Sequence, residues 1–524
     1  MAVAGCLALL ATAWTVFVIA AAADRLPHHV PAAGALALAA AAAAALSSSR
    51  WRDRADLRWA VGWAVLVPAA VVAAHLITNH ATLIVAAPVV LVLGVVASRA
   101  PAVNLLAAVA ATGFYGTLTA YTALPTGKLI DAFMLGVCAA LLWQLLFAER
   151  TERIVLPPGV LCLLGLCVIG VAHVATAPDV TFALRALRSS TFFLLAAVTV
   201  ALLARDRRTA NVVARGVLVV ALAVAAYAVL RYITGPSHKE LVLAQAQPYN
   251  RNNGALRLIG SLLSRHQLAV WLGSIVPFCI AVAMGAGRRV RIATVLLGGL
   301  SAVAILATNS RGGFLAAIAG MTAIVLLLNA APAFPRFRMG TSATLALVVV
   351  VAGGLAMTFT MTSSDRHHFE NILHPGRDQA YQARQVKWHQ AEDSIWRHPW
   401  GLGLGEGSGL SLSARDANLV GAHNIDNSYL TLAYEQGWAA IVLFVLGLLL
   451  TGWRLVLHVR RSPDKVSAGL AAGGCASLVA FAAAMYGGNY FFGTGALAVW
   501  IAVGLGVSRL IGAPTTAGRR LAAD

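Results

Sequence analysis

Residues 422–453 read A-H-N-I-D-N-S-Y-L-T-L-A-Y-E-Q-G-W-A-A-I-V-L-F-V-L-G-L-L-L-T-G-W. A polar segment holding His423, Asp426, Asn427 and Ser428 gives way to an apolar run from Tyr429 to Leu450. A run of about 20 apolar residues is the length that a helix needs to cross the hydrocarbon core of a bilayer. Just upstream, Trp396–Gly409 reads W-R-H-P-W-G-L-G-L-G-E-G-S-G. Glycines, histidines and acids therefore crowd together over 396–437, whereas almost every other stretch is apolar enough for lipid. This is the pattern of a membrane protein with its chemistry gathered at one end.

Composition agrees. The 524 residues are 59% hydrophobic and 11% charged, against about 25% charged in a soluble globular protein. The formal charge of +19 fits the positive-inside excess of a multi-span chain and does not require nucleic acid as a partner. Cys6, Cys138, Cys162, Cys167, Cys279 and Cys475 all fall in apolar runs without C-x-x-C spacing, and read as small buried residues. Met1–Ala23 lacks a basic n-region and a clear cleavage site, and reads as a retained first span.

The fold class expected is an all-α polytopic membrane protein with about 14–16 transmembrane helices. Candidate spans lie near 3–23, 30–46, 59–77, 82–98, 101–122, 129–147, 155–175, 182–204, 212–233, 264–286, 291–308, 312–330, 341–361, 429–450, 467–486 and 490–509. With a cytoplasmic N-terminus, alternation puts the basic clusters Arg50–Arg58, Arg205–Arg208, Arg288–Arg291 and Arg460-Arg461 on the cytoplasmic side. The short outer connections and span ends then hold only Arg25, Lys128, Arg185, Arg188 and Arg311. Both termini are expected in the cytoplasm. The two long connections, 234–263 and 362–428, fall outside, where functional loops concentrate.

The second loop has internal order. Ala380–His398 contains no Gly or Pro, and Tyr381, Trp388, Ala391 and Ile395 recur at helical spacing. Pro399 should end the helix. An amphipathic helix is expected, lying at the membrane–water boundary or capping the bundle, or serving as an ordinary surface helix.

Four arginines fall near the outer leaflet by this topology: Arg185, Arg188, Arg257 and Arg311. Charges there are costly unless paired or solvated, and often line a substrate path. Guanidinium groups suit bidentate binding of phosphate, with Gly312 and Gly313 letting backbone N–H groups approach the same anion. Each arginine can equally snorkel or join a structural ion pair. His423 titrates near neutrality and can take a proton from a hydroxyl. If the following helix begins before Tyr429, Asp426 shares a face with His423 and can orient it or serve as base itself. Asp426, Asn427 and Ser428 are also N-cap types, and Glu435 reads as a structurally paired acid. Gly401–Gly409 follows no strand and lacks Lys-Ser/Thr, so it reads as a tight backbone path rather than a nucleotide loop. His367, His368 and Glu370 lack a metal spacing. The first outer loop holds the lone acid Asp24 where many lipid-linked glycosyltransferases carry paired carboxylates, which points to a reaction without metal or cofactor.

These residues resemble the O-antigen ligase and O-antigen polymerase superfamily, whose domain is called Wzy_C. R-x-x-G at Arg257–Gly260, S-R-G-G at Ser310–Gly313, H-P-W-G-L-G-L-G at His398–Gly405 and the H-N…Y-L-x-x-x-x-E-x-G series at His423–Gly437 follow the family's order over roughly 180–450. The resemblance implies an inverting, metal-independent glycosyltransferase at the outer face of the bacterial cytoplasmic membrane. It would move or polymerise a glycan from undecaprenyl pyrophosphate onto a hydroxyl of a glycan or glycolipid acceptor. Arg257 and Arg311 match pyrophosphate-binding positions and His423 the base; Arg185 and Arg188 are added from topology. Family ligases commonly carry His three residues before the aromatic residue. Here Asp426-Asn427 fill that place, as in some polymerase-like relatives, so His423 and Asp426 both stand as candidate bases.

The expected organisation is thus N-terminal helices over 1–179, a catalytic region over 180–450 and C-terminal helices with a cytoplasmic tail over 451–524. The alternative class is a lipid-linked glycan transporter, which would need a polar path across the whole membrane; few ionisable residues lie mid-span.

Overall fold

The computed structural model describes residues 101–121, scattered positions between 126 and 141, 155–177, 180–245, most of 251–262, 264–335, 379–407, 425–491 and 495–511. In chain order the helices are α1 (Pro101–Gly113), α2 (Tyr115–Tyr121), α3 (Pro158–Thr176), α4 (Val180–Leu203), α5 (Arg207–Thr234), α6 (His238–Gln245), α7 (Arg265–Met284), α8 (Arg288–Thr308), α9 (Arg311–Ala330), α10 (Gln379–Arg397), α11 (Ser428–Arg461), α12 (Lys465–Tyr486) and α13 (Ala496–Val507). Among the described residues, the other regular elements are a two-residue antiparallel pair, Arg251–Asn252 with Ala255–Leu256, and a 3-10 turn at Gly260–Leu262.

Seven of these helices (α3, α5, α7, α8, α9, α11 and α12) are long and apolar enough to cross a membrane. The α1–α2 pair, bent by 76°, adds an eighth if it is one span. The expected all-α polytopic membrane architecture is therefore what the chain adopts. The span expected at 101–122 is this bent pair. Those expected at 3–23, 30–46, 59–77, 82–98 and 341–361 lie outside the described residues, and 129–147 is described only in part.

Burial separates the helices by role. In α7 and α12 the span windows are 78% and 83% buried inside the protein, against 28% in α8 and 33% in α9. The first two are central and the others leave one side for lipid. Small residues let the central pair approach closely: a Cβ on Gly473 of α12 would come within 2.9 Å of the Phe278 side chain of α7. One expected span comes out shorter: α13 covers only Ala496–Val507, all twelve of its residues buried, whereas α4 runs the length of the span expected at 182–204. Residues 487–491 form a turn instead of extending α13, because Ser428 holds their backbone groups, as described below.

The basic connections come together at one end. Arg509 donates to the carbonyl of Ala204, Arg207 pairs with Asp464 at 3.4 Å, and a Cβ on Gly285 would sit 3.1 Å from the Lys465 carbonyl. The Arg205–Arg208, Arg288–Arg291 and Arg460–Lys465 turns therefore share that end. The glycine loop, α10 and the starts of α7, α9 and α11 occupy the opposite one.

At that opposite end the described parts of both long connections fold onto the bundle. Glu240 of α6, 1% exposed, pairs with Arg231 of α5 at 3.0 Å, accepts from the Ser237 amide at 2.9 Å, and bonds Tyr227. In α10 the expected apolar face is the one that packs: Ala391 and Ile395 are buried, with Trp388 beside them, against Ile425, Leu430, Ala433 and Tyr434. The helix thus caps the bundle. Trp396 and Trp400 at its end remain 73% and 79% exposed.

The glycine loop locks to a break in α11. Gly437 adopts φ 80°, ψ −176°, which interrupts the helix. The carbonyls of Tyr434 and Glu435 accept from the amides of Leu402 (2.8 Å) and Gly403 (3.1 Å), and the Trp438 amide donates to Pro399 (3.0 Å). A Cβ on Gly437 would lie 2.4 Å from the Pro399 carbonyl oxygen. We therefore expect Gly437→Ala to lower stability by about 2 kcal/mol or more through a left-handed φ and a backbone clash. Gly298→Ala in α8 meets nothing within 4 Å and should be neutral or stabilising by up to about 1 kcal/mol. Thermal unfolding of both variants in detergent checks the contrast.

Candidate functional site

Two neighbouring helices begin in the same way. Ser264-Arg265 opens α7 and Ser310-Arg311 opens α9. Each serine is an N-cap: Ser264 Oγ accepts from the Gln267 amide and Ser310 Oγ from the Gly313 amide, both at 3.4 Å. Because α8 runs back between them, α7 and α9 are parallel and start at the same end of the bundle. The reversal from α8 into α9 uses Asn309 in the left-handed region at φ 52°. The two starts are pressed together at Gly313, where a Cβ would be 2.2 Å from that of Ala269. Two positive helix ends and two guanidinium groups are thus concentrated in one place.

A third chain segment completes this place. The turn after α12 brings the Tyr490 phenol against Ser310 and over Gly312, where a Cβ would lie 3.0 Å from Tyr490 Oη. His266 Nδ1 is 3.1 Å from Ser310 Oγ on another side. Arg384 of α10 reaches Asp426 at 3.4 Å, each side chain 35% exposed, and the charges of Arg384, Asp426 and Arg265 all act on Tyr490. Burial pushes the Tyr490 phenol up to about 12. Asp426 adds to the rise, while Arg384, the Ser310 hydroxyl and Arg265 pull the other way. The phenol is therefore neutral near pH 7 and available as a hydrogen-bond donor.

The D-N-S-Y-L segment, Asp426–Leu430, builds the support. Asn427 is the N-cap of α11, its Oδ1 accepting from the Tyr429 and Leu430 amides at 3.0 and 3.2 Å. Helix α11 thus begins at Ser428, and Asp426 lies before it, so the helical face that would have joined His423 to Asp426 does not form. Ser428 Oγ donates to the Gly488 carbonyl (2.8 Å) and accepts from the amides of Tyr490 (3.0 Å) and Phe491 (3.2 Å). Tyr429 Oη donates to the Ala482 carbonyl at 2.8 Å. This short segment therefore fixes where Tyr490 stands.

The remaining sequence candidates are distributed around it. Arg311 is half-buried with its Nε enclosed. Arg188 is ion-paired with the buried Asp131, so its charge is matched within the protein. Arg185 lies on the first turns of α4, where only its backbone is described. Arg257 and His423 lie outside the described residues, as do His367, His368 and Glu370. Glu435 is fully buried and its Oε1 accepts from the Gly407 amide at 3.0 Å, bracing the glycine loop. Gly405 of that loop packs on Phe182 and Ala186 of α4, beside Arg185 and Arg188. Arg265, His266, Arg384 and Tyr490 were not singled out from the sequence. Only the first two had a legible signal, the repeat of Ser-Arg at the mouth of an apolar run.

A helical bundle of membrane-spanning length, with an arginine-rich polar pocket at the end away from its basic turns, defines a multi-pass membrane protein with a site suited to an anionic ligand. Residues 296–445 match the family model described as O-antigen ligase (Wzy_C). The match supports placing the chain in the O-antigen ligase/polymerase superfamily, and with it a membrane transferase of that general type. The matched stretch includes Ser310–Gly313, the glycine loop and the break in α11, but neither Arg265 nor Tyr490. No curated protein matches the chain.

Ser428→Ala should release the 487–491 turn, leaving one carbonyl and two amides without their partner. The expected cost is about 1–3 kcal/mol. Amide hydrogen exchange of the full-length protein should speed up at Tyr490 and Phe491 ahead of global unfolding.

Proposed function

We propose that the protein transfers or polymerises a glycan from undecaprenyl pyrophosphate onto a hydroxyl of a glycan or glycolipid acceptor, with inversion and without a metal. The observation that carries this reading is the pair of parallel, serine-capped helix starts headed by Arg265 and Arg311. In that setting fixed N–H dipoles and guanidinium groups can stabilise charge growing on a pyrophosphate leaving group. Arg257, Arg185 and Arg188 are proposed to extend the same field. Arg188 is then the one held by an internal acid.

In the reaction, the acceptor hydroxyl gives its proton to a base and its oxygen attacks the anomeric carbon. The bond from that carbon to the phosphate oxygen breaks, and undecaprenyl pyrophosphate leaves with the electron pair. His423 and Asp426 are the two candidate bases. The pairing of Asp426 with Arg384 at the edge of the pocket supports a role for this carboxylate in accepting the proton directly or in orienting His423. The site end is proposed to face outward and both termini inward, supported by the gathering of the basic turns at the opposite end. The catalytic region is proposed over 180–450, with the 487–491 turn as its contribution from beyond that range.

The test uses full-length protein in lipid nanodiscs with lipid-linked glycan extracted from the source cells. Arg265→Ala and Arg311→Ala should each lower transfer about 10²-fold or more. Of His423→Ala and Asp426→Asn, the variant that removes the base should lose about 10²–10⁴-fold and the other much less. Full transfer by both arginine variants would sink the site assignment. Movement of labelled lipid without glycosidic bond formation would point to a transporter.

A further inference from the structure

Three exposed tryptophans gather at the break in α11. Trp396 stands on the last turn of α10, Trp400 opens the glycine loop, and Trp438 directly follows Gly437. The indoles of Trp396 and Trp438 meet with ring centroids 5.0 Å apart. The Trp438 amide donates to the Pro399 carbonyl at 3.0 Å. The Trp400 backbone lies against Gly437, where a Cβ would come within 2.6 Å of its carbonyl carbon. Leu402, two residues on, is exposed as well.

The rest of α11 shows what this patch faces. Past Trp438 its exposed apolar residues are Val442, Val445, Leu446 and Leu449, ending at Trp453 with the exposed Arg454 beside it. They share one side of the helix, while Ala440, Phe444, Leu448 and Leu455 are buried on the other. An aliphatic stripe closed at each end by tryptophan is the pattern of a face turned to lipid, since indoles collect where hydrocarbon meets water. From Trp438 to Trp453 the stripe covers about 22 Å of helix, most of the thickness of the hydrocarbon core. Trp438 therefore marks the membrane boundary at the site end, and Trp396 and Trp400 continue that surface. The local charges agree. Arg397 and His398 are exposed between the two indoles, and no acid occurs from Trp396 to Gly405. Cations of this kind suit lipid phosphates. Arg384, the α10 residue at the pocket, is about 18 Å along the helix from Trp396, so the indoles stand apart from that site.

We propose that Trp396, Trp400, Trp438 and Leu402 form an anchor in the headgroup region of the leaflet at the site end, with lipid as the partner. Helix α10 then does two things. Ala391 and Ile395 cap the bundle, and the end of the helix dips into the membrane interface. The anchor fixes the depth of the glycine loop, whose Leu404 and Gly405 press on α4 and whose Gly407 amide is held by Glu435. That part of the end wall stands at the level of lipid headgroups.

The experiment uses full-length protein in nanodiscs of phosphatidylcholine and phosphatidylglycerol, with or without phosphatidylcholine brominated near the glycerol end of its acyl chains. Bromine quenches indole emission only on close approach. The emission of Trp396 is taken as wild type minus Trp396→Phe, and that of Trp400 as wild type minus Trp400→Phe. Thermal unfolding at the wild-type midpoint establishes that each variant is folded, and the tyrosine variant replaces any phenylalanine variant that falls short. Both contributions should be largely lost in the brominated discs. Emission that brominated lipid leaves intact in either difference overturns the proposal. If added oligosaccharide then shifts that emission, the patch is a platform for sugar instead.

Discussion

A helix broken inside a membrane bundle must find new partners for the carbonyls it frees, since no water is at hand to take them. In α11 the break at Gly437 frees Tyr434 and Glu435, and the amides of Leu402 and Gly403 take them up. The glycine-rich segment has to come close enough to do so. Gly401 adopts φ 88°, and a Cβ there would lie 2.5 Å from the Glu435 carbonyl oxygen. Once the loop is seated, Glu435 closes over the Gly407 amide and Leu404 packs on Ala183, Ala186 and Leu187 of α4. The loop, α4, α10 and the start of α11 thus form one end wall, and the polar pocket lies along it.

The charges at this end divide into two kinds. Arg188 and Asp131, the latter 6% exposed, neutralise each other in the wall. Only the acid is enclosed, the Arg188 side chain being 33% exposed, so the pair matters mainly because removing the arginine would strand a buried carboxylate. Arg384 and Asp426 pair near the mouth, each about one-third exposed, where water screens the interaction and its net worth is small. Between the two pairs Arg265 and Arg311 head two parallel helices, so the dipoles reinforce the side chains instead of opposing them.

The residues of local consequence were legible from the chain. The spans expected at 264–286, 312–330 and 467–486 appear at Arg265–Met284, Arg311–Ala330 and Lys465–Tyr486, because hydropathy and serine or aspartate caps act over a few residues. The amphipathic face of Tyr381, Trp388, Ala391 and Ile395 was legible too, and so was the N-cap type of Asn427. What failed to show was any relation across distance. Tyr490 meets Ser310 at a separation of 180 residues, and Ser428 holds Gly488 sixty residues away. Tyr490 read as the start of an apolar span, since nothing next to it in sequence announced the turn that Ser428 imposes.

By itself the sequence determined that this is a helical membrane protein, where most of its described helices begin and end, and which end is basic. These follow from periodicity, caps and charge, each a property of neighbours along the chain. Only the tertiary structure decided which arginines converge. Arg188 turns to Asp131, while Arg265 and Arg384 join the surroundings of Tyr490. It also decided that Asp426 stands outside the helix it precedes. Those outcomes depend on which helix starts lie side by side, and that is set by the packing of α7, α9 and α12, which no single segment encodes.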